Sequence, residues 1–508
     1  MSHFEAIRAK LKDPGFTPGR RDVQPMLELL GAAEEDEATR VIRALAKVPA
    51  AAERATADWA AATPPLRHRL VALVARARGD DSLETLAVAL ADADPRTRKA
   101  AARGIGRVQN TSIRERAAAV LREALSRETR PEVERAIVEA LGKVGGATDA
   151  SAIAAAGDER VRKQALQRIE RVEARAQPAR IASERVQPAP FEVELRCREG
   201  LESILSSELP DARVLGSGRV AARARSLREL GVARTWSTAA LVVRRGEVAE
   251  ENLAPAIASV APLVRALSEG PVRWRVEWMG AGHRRAATRD LAERVAELAP
   301  DLVNDPVASD WEIEIGPMGV FAIPKSWDDA RFSYRVADVP AASHPTLAAA
   351  IARLGGARED DVVWDPFVGS GLELVERARL GPYRSLLGTD TDDAALAAAK
   401  KNIDAARVER ATLVRADARS HAPRGVTLVL TNPPMGRRVQ TGKLDELLVA
   451  FVQNVARVLS RGGRFVWITP RAKTTNRASE SAGLRKTHDF VVDMRGFAAN
   501  LQRFERDV

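Results

Sequence analysis

Short apolar runs alternate with amphipathic segments along the last third of the chain, from residue 361 onward. Runs such as "VVWD" at 362–365 and "VTLVLT" at 426–431 favour strands, and segments such as "DAALAAAKKNIDAA" at 393–406 carry apolar residues at helical spacing. Strands that alternate with helices in this way pack as a parallel sheet covered by helices on both faces. The pattern therefore predicts an α/β doubly wound domain.

Polar residues fall at the predicted carboxyl ends of these strands, where such sheets bind their ligands. Asp365 ends the first strand, and Gly369 and Gly371 follow it in a tight turn where backbone can approach a ligand. Asp390 ends the second strand, 19 residues after Gly371, where a carboxylate can accept hydrogen bonds from both hydroxyls of a ribose. The glycine turn alone is a weak signal, because the third glycine of a dinucleotide fingerprint is missing.

Two further signals follow the third and fourth strands. Asp417 lies in "VRADAR", and the strand "TLVLT" runs directly into Asn-Pro-Pro at 432–434. Prolines cannot extend a strand ladder and hold the backbone in a fixed conformation. A rigid polar group is therefore expected at the end of that strand.

The glycine turn, the two acidic residues and Asn-Pro-Pro, in this order and each at a strand end, resemble the class I methyltransferases that methylate an amine. The resemblance implies a Rossmann-like catalytic domain with S-adenosyl-L-methionine as cofactor. It implies that the loop after Asp365 lines the methionine part, that Asp390 holds the ribose, and that Asp417 and Ala418 border the adenine. The residues implied to bind the cofactor are Asp365, Phe367, Gly369, Ser370, Gly371, Asp390, Asp417, Ala418 and Asn432.

The chemistry of amine methylation gives Asn432 a role. An aromatic exocyclic amine is a poor nucleophile, because its lone pair is delocalised into the ring. The side-chain oxygen of Asn432 and the carbonyl of Pro433 can each accept one N–H, which helps to redirect that lone pair at the methyl group. The residues expected to act in catalysis are Asn432, Pro433, Pro434 and Met435.

The middle of the chain mixes strand-like runs, such as "FEVELRC" and "VRWRVEWM", with helical segments, which predicts an α+β domain. The order of parts across roughly residues 190–325 resembles a THUMP domain with its preceding ferredoxin-like segment. THUMP domains bind RNA, often the acceptor end of tRNA. The candidate RNA contacts here and near the catalytic segment, each of which could also be solvated or packed, are His283, Arg284, Arg285, Arg331, Arg335, Arg437 and Arg438.

The first 175 residues carry an imperfect helical repeat. The stretch "ALADADPRTRKAAARGIGRV" at 89–108 is similar to "ALSRETRPEVERAIVEALGKVG" at 124–145, and weaker copies begin near residues 29 and 154. Repeats spaced by roughly 28 to 36 residues are typical of helical-pair solenoids. The pattern resembles HEAT repeats, which implies a curved binding surface and a possible protein partner. An ordinary helical domain with accidental periodicity is the alternative.

These segments define the predicted domains. A chain of 508 residues is too long for one core, and about one domain per 150 residues gives about three. Residues 1–175 are predicted to form HEAT-like repeats and the proline-punctuated residues 176–190 a linker. A ferredoxin-like and THUMP-like domain is predicted over residues 191–328, and a class I methyltransferase domain over residues 329–508.

Composition narrows the class of protein. The net charge of +10 suggests a polyanionic partner, although residues 181–345 are slightly acidic while both flanking segments are basic. No apolar stretch is long enough to span a membrane, and the N-terminus lacks the apolar core of a signal peptide, so a cytoplasmic location is expected. The single cysteine, Cys197, excludes an internal disulfide, and no metal site is expected.

The chain carries a HEAT-like segment, a THUMP-like segment and the motif "NPPMG" in this order, and this arrangement resembles the THUMP-containing RNA guanine-N2 methyltransferases. The predicted function is therefore S-adenosylmethionine-dependent methylation of an exocyclic amine, guanine N2 of tRNA or rRNA. Two positions depart from the family: Met435 stands where an aromatic residue often stacks on the base, and Leu372 where a threonine commonly follows the last glycine. Methylation of another amine, such as adenine N6 or a protein glutamine amide, remains an alternative. So does a weakly active, cofactor-binding RNA scaffold.

Overall fold

The computed structural model describes residues 3–13, 15–280, 282, 284–340, 342–436 and 441–507. The chain divides into two compact units. The first, called the solenoid unit, extends to Pro178 and includes Val303–Asp305, and the second, called the sheet unit, comprises Ala179–Leu302 and Pro306–Val508. The division after Pro178 falls inside the segment predicted as a linker.

The solenoid unit is built from helices around one continuous hydrophobic cluster. Several of these helices have proline in the first turn, where the missing N–H costs nothing. The carboxylate of Asp94 caps one of them by accepting from the backbone N–H groups of Arg96 and Thr97. The helices are α1 (His3–Lys10), α2 (Arg20–Ala32), α3 (Glu35–Leu45), α4 (Pro49–Asp58), α5 (Pro64–Arg78), α6 (Leu83–Ala89), α7 (Pro95–Ile105), α8 (Thr111–Arg127), α9 (Pro131–Val144), α10 (Ala150–Ala154) and α11 (Glu159–Ala176).

Helices α5, α7, α9 and α11 pack side by side in that order. Glycines on their contact faces allow the close approach. A Cβ atom at Gly104 of α7 would lie 2.7 Å from the Cβ of Ala75, and one at Gly142 of α9 would lie 2.6 Å from the Cα of Ala165. The small residues at the ends of the sequence repeat are thus required for packing between successive repeats.

The first part of the sheet unit contains one large, mainly antiparallel sheet. Its strand order is β3-β4-β2-β5-β10-β9-β7-β8, in which β7 and β9 pair in parallel. The predicted mixture of strands and helices is observed. The elements are β1 (Arg180–Ile181), β2 (Phe191–Arg196), α12 (Glu202–Ser206), β3 (Arg213–Gly216), β4 (Arg219–Ala224), β5 (Thr238–Arg245), α13 (Glu250–Ala266), β6 (Ser268–Glu269), β7 (Val272–Trp278), α14 (Arg285–Leu298), β8 (Leu302–Asn304), β9 (Trp311–Gly316) and β10 (Gly319–Pro324).

The predicted linker is more ordered than expected. Strand β1 lies inside it and pairs with β6 in antiparallel fashion. The side chain of Ile181 is 3% exposed and belongs to the hydrophobic cluster of the large sheet. The linker residues from Ala179 onward are therefore part of the sheet unit.

The second part of the sheet unit contains a seven-stranded sheet, called the catalytic sheet, with the order β13-β12-β11-β14-β15-β17-β16. The prediction of a parallel, doubly wound sheet is confirmed for the strands β11 to β15. The last two strands complete the sheet in antiparallel fashion, with β17 between β15 and β16. The elements are α15 (Pro345–Gly355), β11 (Val362–Asp365), α16 (Leu372–Arg379), β12 (Ser385–Asp390), α17 (Asp393–Ala405), β13 (Ala411–Arg415), β14 (Val426–Thr431), α18 (Thr441–Val458), β15 (Leu459–Thr469), α19 (Ala472–Ser481), β16 (Leu484–Asp493) and β17 (Ala498–Arg506).

Alternating side chains bury both faces of the catalytic sheet. Val363 and Leu428 belong to the hydrophobic cluster on one face, and Trp364 and Val429 belong to the cluster on the other. The chain winds from β11 through β12 to β13 on one side and continues through β14 on the other. The switch point is thus between β11 and β14, where an open α/β sheet has a crevice for a ligand. In the part of the chain that the structure describes, no helix could cross a membrane.

Candidate active site

The ends of β11 and β14 are joined by a hydrogen bond. The hydroxyl of Thr431, the last residue of β14, donates to Oδ1 of Asp365, the last residue of β11, at 2.6 Å. Both side chains are fully buried. The bond holds the start of the glycine turn next to Asn-Pro-Pro, so the two motifs meet at the switch point.

The glycine turn leads from β11 into α16 through left-handed backbone. Gly369 has φ +49° and Gly371 has φ +79°, and a Cβ at Gly371 would lie 3.2 Å from the Cα of Ala399. The backbone N–H of Gly369 donates to Oδ2 of Asp390 at 3.1 Å, which ties the turn to the end of β12. The buried Ser370 adds another tie, because its carbonyl accepts from the Asn402 side chain at 2.8 Å. The turn is therefore fixed from two sides.

The acidic residues at the ends of β12 and β13 have different surroundings. Each carboxylate oxygen of Asp390 accepts one backbone N–H and retains a second lone pair for a hydroxyl donor. Asp417 instead pairs with Arg419 at 2.6 Å, and these hydrogen bonds lower the pKa of the Asp417 carboxyl. The buried Ala418 accepts from Asn454 through its carbonyl. The ribose and adenine roles of these residues stay predictions.

Asn432 is held by a two-step hydrogen-bond relay. Its Nδ2 donates to Oγ of Ser343 at 2.8 Å, and the Ser343 hydroxyl donates to Oε1 of Glu373. Ser343 is 8% exposed and Glu373 is 3% exposed, so water competes little for these bonds. The relay fixes the orientation of the amide. The Oδ1 atom of Asn432 is left buried and has no hydrogen-bond partner among the described residues.

Ser343 and Glu373 are the site residues that the sequence did not identify. Ser343 directly precedes His344, the N-cap residue of α15, and no side chain caps that helix. Glu373 directly precedes Leu374, which stands where a dinucleotide fingerprint has its third glycine. The usable signal was a carboxylate placed between two apolar residues, Leu372 and Leu374, in the first turn of a helix.

Asp365 and Glu373 form a buried acidic pair. Burial raises the pKa of the Glu373 carboxyl to about 7. Burial and the neighbouring charge of Glu373 raise the pKa of Asp365 well above its usual range. In addition, Oδ2 of Asp365 has no hydrogen-bond partner among the described residues. Two buried acids with an unpaired oxygen suit a cationic ligand, and the proposed cofactor carries both an ammonium group and a sulfonium group.

Met435 and Pro434 complete the strand-end segment. Pro433 is buried, Pro434 is exposed, and Met435 is half-buried. The Met435 side chain packs against the hydrophobic cluster on the Val363 face of the catalytic sheet. It therefore has apolar support on one side, as a residue that covers a substrate ring would need.

The predicted RNA contacts are dispersed, and one of them is corrected. The guanidinium of Arg331 is 7% exposed, lies 3.3 Å from the ring centroid of Trp236, and pairs with Asp329 at 2.8 Å. Arg331 is therefore packed inside the unit and is not presented to RNA. Arg335 pairs with Asp338 at 2.7 Å.

The remaining candidates belong to two short segments. Arg284 and Arg285 are both exposed, and Arg284 lies over the ring of Trp278. His283, Arg437 and Arg438 lie outside the described residues. The RNA-binding role of these five residues stays a prediction.

A basic cluster, of which the sequence identified only Arg335, lies beside Ser343. Burial, followed by the charges of Arg198, Arg495 and Arg335, lowers the pKa of His344. Arg495 is exposed on the turn between β16 and β17, and Arg198 follows β2. Positive charge from three distant parts of the sequence thus gathers one residue from the relay that holds Asn432.

Two family models match parts of the chain. Residues 333–500 match the model of UPF0020, the RMKL-like methyltransferase domain. Residues 57–142 and 83–170 match the model of HEAT repeats. The second match agrees with the packed helices of the solenoid unit and confirms the HEAT-like prediction.

Two curated relatives match a part of the chain. The tRNA (guanine(6)-N2)-methyltransferase of Thermus thermophilus is 36% identical over 157 residues, which are 30% of this chain and 46% of that protein. The tRNA (guanine(10)-N2)-dimethyltransferase of Methanothermobacter thermautotrophicus is 27% identical over 134 residues, 26% of this chain and 39% of that protein. The chain thus spans less than half the length of these two relatives.

A solved structure covers more of the chain. The crystal structure of TrmN from Thermus thermophilus is 27% identical with a TM-score of 0.52, and the match covers 62% of this chain and 99% of that one. These similarities confirm the predicted class of catalytic domain: residues 333–500 form a methyltransferase domain of the RMKL-like type, with S-adenosylmethionine as its cofactor.

Proposed function

We propose that the chain is an RNA methyltransferase that transfers a methyl group from S-adenosylmethionine to N2 of guanine in tRNA. The observation that carries this proposal is the Oδ1 atom of Asn432 at the end of β14, beside the glycine turn, which is buried and has no hydrogen-bond partner among the described residues. The choice of guanine N2 and tRNA is supported by the two curated relatives, which are named for that reaction.

The cofactor, when bound, supplies a methyl group attached to a positively charged sulfur. We infer that the glycine turn and the acidic pair hold its methionine part, since Asp365 Oδ2 is unpaired among the described residues and both acids are buried. Asp390 would hold the ribose through the lone pairs that its backbone hydrogen bonds leave open. Asp417 and Ala418 would border the adenine.

Asn432 would act on the amine of the substrate. Its Oδ1 and the carbonyl of Pro433 accept the two N–H groups, which orients the nitrogen lone pair toward the methyl group. Orientation of this kind supplies up to roughly 7 to 11 kcal/mol in well-positioned systems. No strong general base is required, because the nitrogen becomes acidic once it forms the new bond and then releases its proton to solvent.

The relay through Ser343 and Glu373 prevents a counterproductive rotation of the amide. If the Asn432 amide turned by half a rotation, its NH2 group would face the substrate N–H groups, donor against donor. The Ser343 hydroxyl, which is committed to the Glu373 carboxylate, can only accept from Asn432. We therefore assign Ser343 and Glu373 as positioning residues.

We also infer that residues 191–328 form a THUMP-like RNA-binding domain with a ferredoxin-like segment. The order of its sequence parts, its large mixed sheet and its helices support this inference. The basic cluster of Arg198, Arg335 and Arg495 would bind phosphate near the substrate base. rRNA as a substrate, a protein partner of the solenoid unit and a cytoplasmic location stay predictions.

Cofactor affinity is expected to fall as the pH falls through about 7. Glu373, with its pKa raised to about 7, loses its negative charge over this range and so attracts a cationic ligand less. Between pH 8 and pH 6 the Kd for S-adenosylmethionine should rise about tenfold, as one titrating group requires. Isothermal titration calorimetry at several pH values measures this Kd.

Glu373→Gln should flatten this pH profile, whereas Glu409→Gln, at an exposed position, should leave it unchanged. An affinity that increases as the pH falls, or a profile of Glu373→Gln identical to that of the wild type, would contradict the role of the acidic pair.

The proposed reaction is tested by incubating the full chain with methyl-labelled S-adenosylmethionine and bulk tRNA, followed by digestion to nucleosides. We expect the label in N2-methylguanosine. Label in N6-methyladenosine, or in glutamine of added protein, would support the alternative amines instead. Cofactor binding without incorporation into tRNA or rRNA would support the scaffold alternative.

A further inference from the structure

The solenoid unit has a groove with a strongly basic lining, formed by residues of α3, α5 and α7 and called here the basic groove. Its volume is about 520 Å³. Among the described residues that line it, Glu35 supplies the acidic charge. The cationic side chains are Arg69, Arg76, Arg96, Lys99, Arg103 and Arg107.

Helical periodicity places these cations on one surface. On α7 and just beyond its end, Arg96, Lys99, Arg103 and Arg107 follow at intervals of three and four residues, which is one face of a helix. The contact at Gly104, which excludes a side chain, brings this face next to that of α5. The small residues of the repeat thereby gather the arginines of successive helices.

The positive surface continues onto α9 and α11. Partial burial and the charge of Arg168 are the largest causes that lower the pKa of Lys143, and Arg107 and Arg103 add to them. These four cations therefore lie close enough to repel one another. The charge of Glu139 opposes this repulsion in part, and an anionic ligand would compensate the excess of positive charge that remains.

Several arginines elsewhere in the same unit are paired. Arg98 bonds Glu128 at 2.8 Å, Arg116 bonds Glu84 at 2.6 Å, and Arg122 bonds Asp149 at 2.9 Å. In contrast, the side chains of Arg76, Arg103 and Arg107 are exposed and form no ion pair within the described residues. The groove thus gathers several exposed cations that have no counter-charge of their own among the described residues.

We propose that the basic groove binds the phosphate backbone of RNA. Phosphate binding requires dense positive charge and no apolar anchor. The apolar side chains that line the groove are alanines, Ile42 and Pro65, whereas a protein partner would need larger anchors such as aromatic residues or leucine. Guanidinium groups also match phosphate oxygens in bidentate geometry. This goes beyond the proposed function, because it assigns a second RNA-binding surface to a different unit.

The test uses the full chain, labelled bulk tRNA and no cofactor, so that its result is independent of methyl transfer. The groove variant is Arg76→Gln/Arg103→Gln/Arg107→Gln. The control variant, Arg54→Gln/Arg116→Gln/Arg127→Gln, removes the same charge from exposed, ion-paired positions of the same unit. Fluorescence anisotropy gives the Kd over a range of salt concentrations, and circular dichroism checks folding.

The groove variant should weaken tRNA binding by roughly 10- to 100-fold at about 100 mM salt, while the control changes it by less than about twofold. The slope of log Kd against log salt should decrease by about 2 to 3 in the groove variant, which is about one for each phosphate that the variant no longer neutralises. Equal affinities of the two variants would overturn the proposal. Unchanged tRNA binding, with binding to polyglutamate abolished, would also overturn it, in favour of an acidic protein.

Discussion

Replacing Asn432 by alanine should lower methyl incorporation into tRNA by at least about tenfold, with a much smaller effect on the Kd for S-adenosylmethionine. Among the described residues, the substitution removes the side-chain acceptor at the end of β14 that is buried and unpartnered. A placed polar group that acts on the reacting atoms typically accounts for about 100- to 1,000-fold in rate. Single-turnover kinetics on bulk tRNA, with calorimetry for the cofactor, separates the two effects.

Ser343→Ala distinguishes positioning from a structural role. It leaves Oδ1 of Asn432 in place but removes the acceptor that holds its NH2 group. We expect kcat to fall while KM for tRNA stays near the wild-type value, with partial rescue by Ser343→Thr, which restores a hydroxyl. Unchanged methyl incorporation by Asn432→Ala would falsify the assigned mechanism. If Ser343→Ala and Ser343→Thr lost the same amount of thermal stability, Ser343 would be only a packing residue.

Asp390→Ala should raise the Kd for S-adenosylmethionine by roughly 100-fold. The carboxylate is proposed to accept both ribose hydroxyls, and each hydrogen bond to a charged acceptor contributes about 1.5 to 3 kcal/mol. The substitution also frees the backbone N–H of Gly369, which loosens the glycine turn. Isothermal titration calorimetry measures the affinity directly.

The matched control is Asp404→Ala, at an exposed residue of α17 that pairs with Lys400 at 2.9 Å. Its cofactor affinity should equal that of the wild type. The Kd of Asp390→Asn for S-adenosylmethionine should lie between those of the wild type and Asp390→Ala, because an amide oxygen accepts a hydrogen bond but carries no charge. Equal binding heats for the wild type and Asp390→Ala would reject the ribose assignment.

The sequence predicted the parts of the site that follow from strand periodicity. Asp365, Asp390 and Asn432 each stand at the end of an apolar run, and parallel strands bring their carboxyl ends to one edge. The glycine turn and Asn-Pro-Pro could therefore be placed together without knowing any contact between them. The structure adds the bond from Thr431 to Asp365 that joins them.

The remaining features depend on contacts between distant residues. Ser343 and Asn432 are 89 residues apart, and no local pattern links them. In the sequence, nothing distinguishes Arg331 from an arginine that contacts RNA. The structure shows that its guanidinium lies against the ring of Trp236, which comes from another part of the chain. The antiparallel position of β17 is also not encoded in its apolar pattern, which is equally compatible with either direction and with several places in the sheet.

The central claim is that this chain methylates guanine N2 in tRNA through Asn432. Nucleoside mass spectrometry of tRNA and rRNA from a deletion strain, complemented with the wild type or with Asn432→Ala, tests it most directly. We predict that N2-methylguanosine decreases in tRNA on deletion and is restored by the wild type but not by Asn432→Ala. An unchanged level of N2-methylguanosine with the loss of a different methylated nucleoside, or full restoration by Asn432→Ala, would contradict the claim.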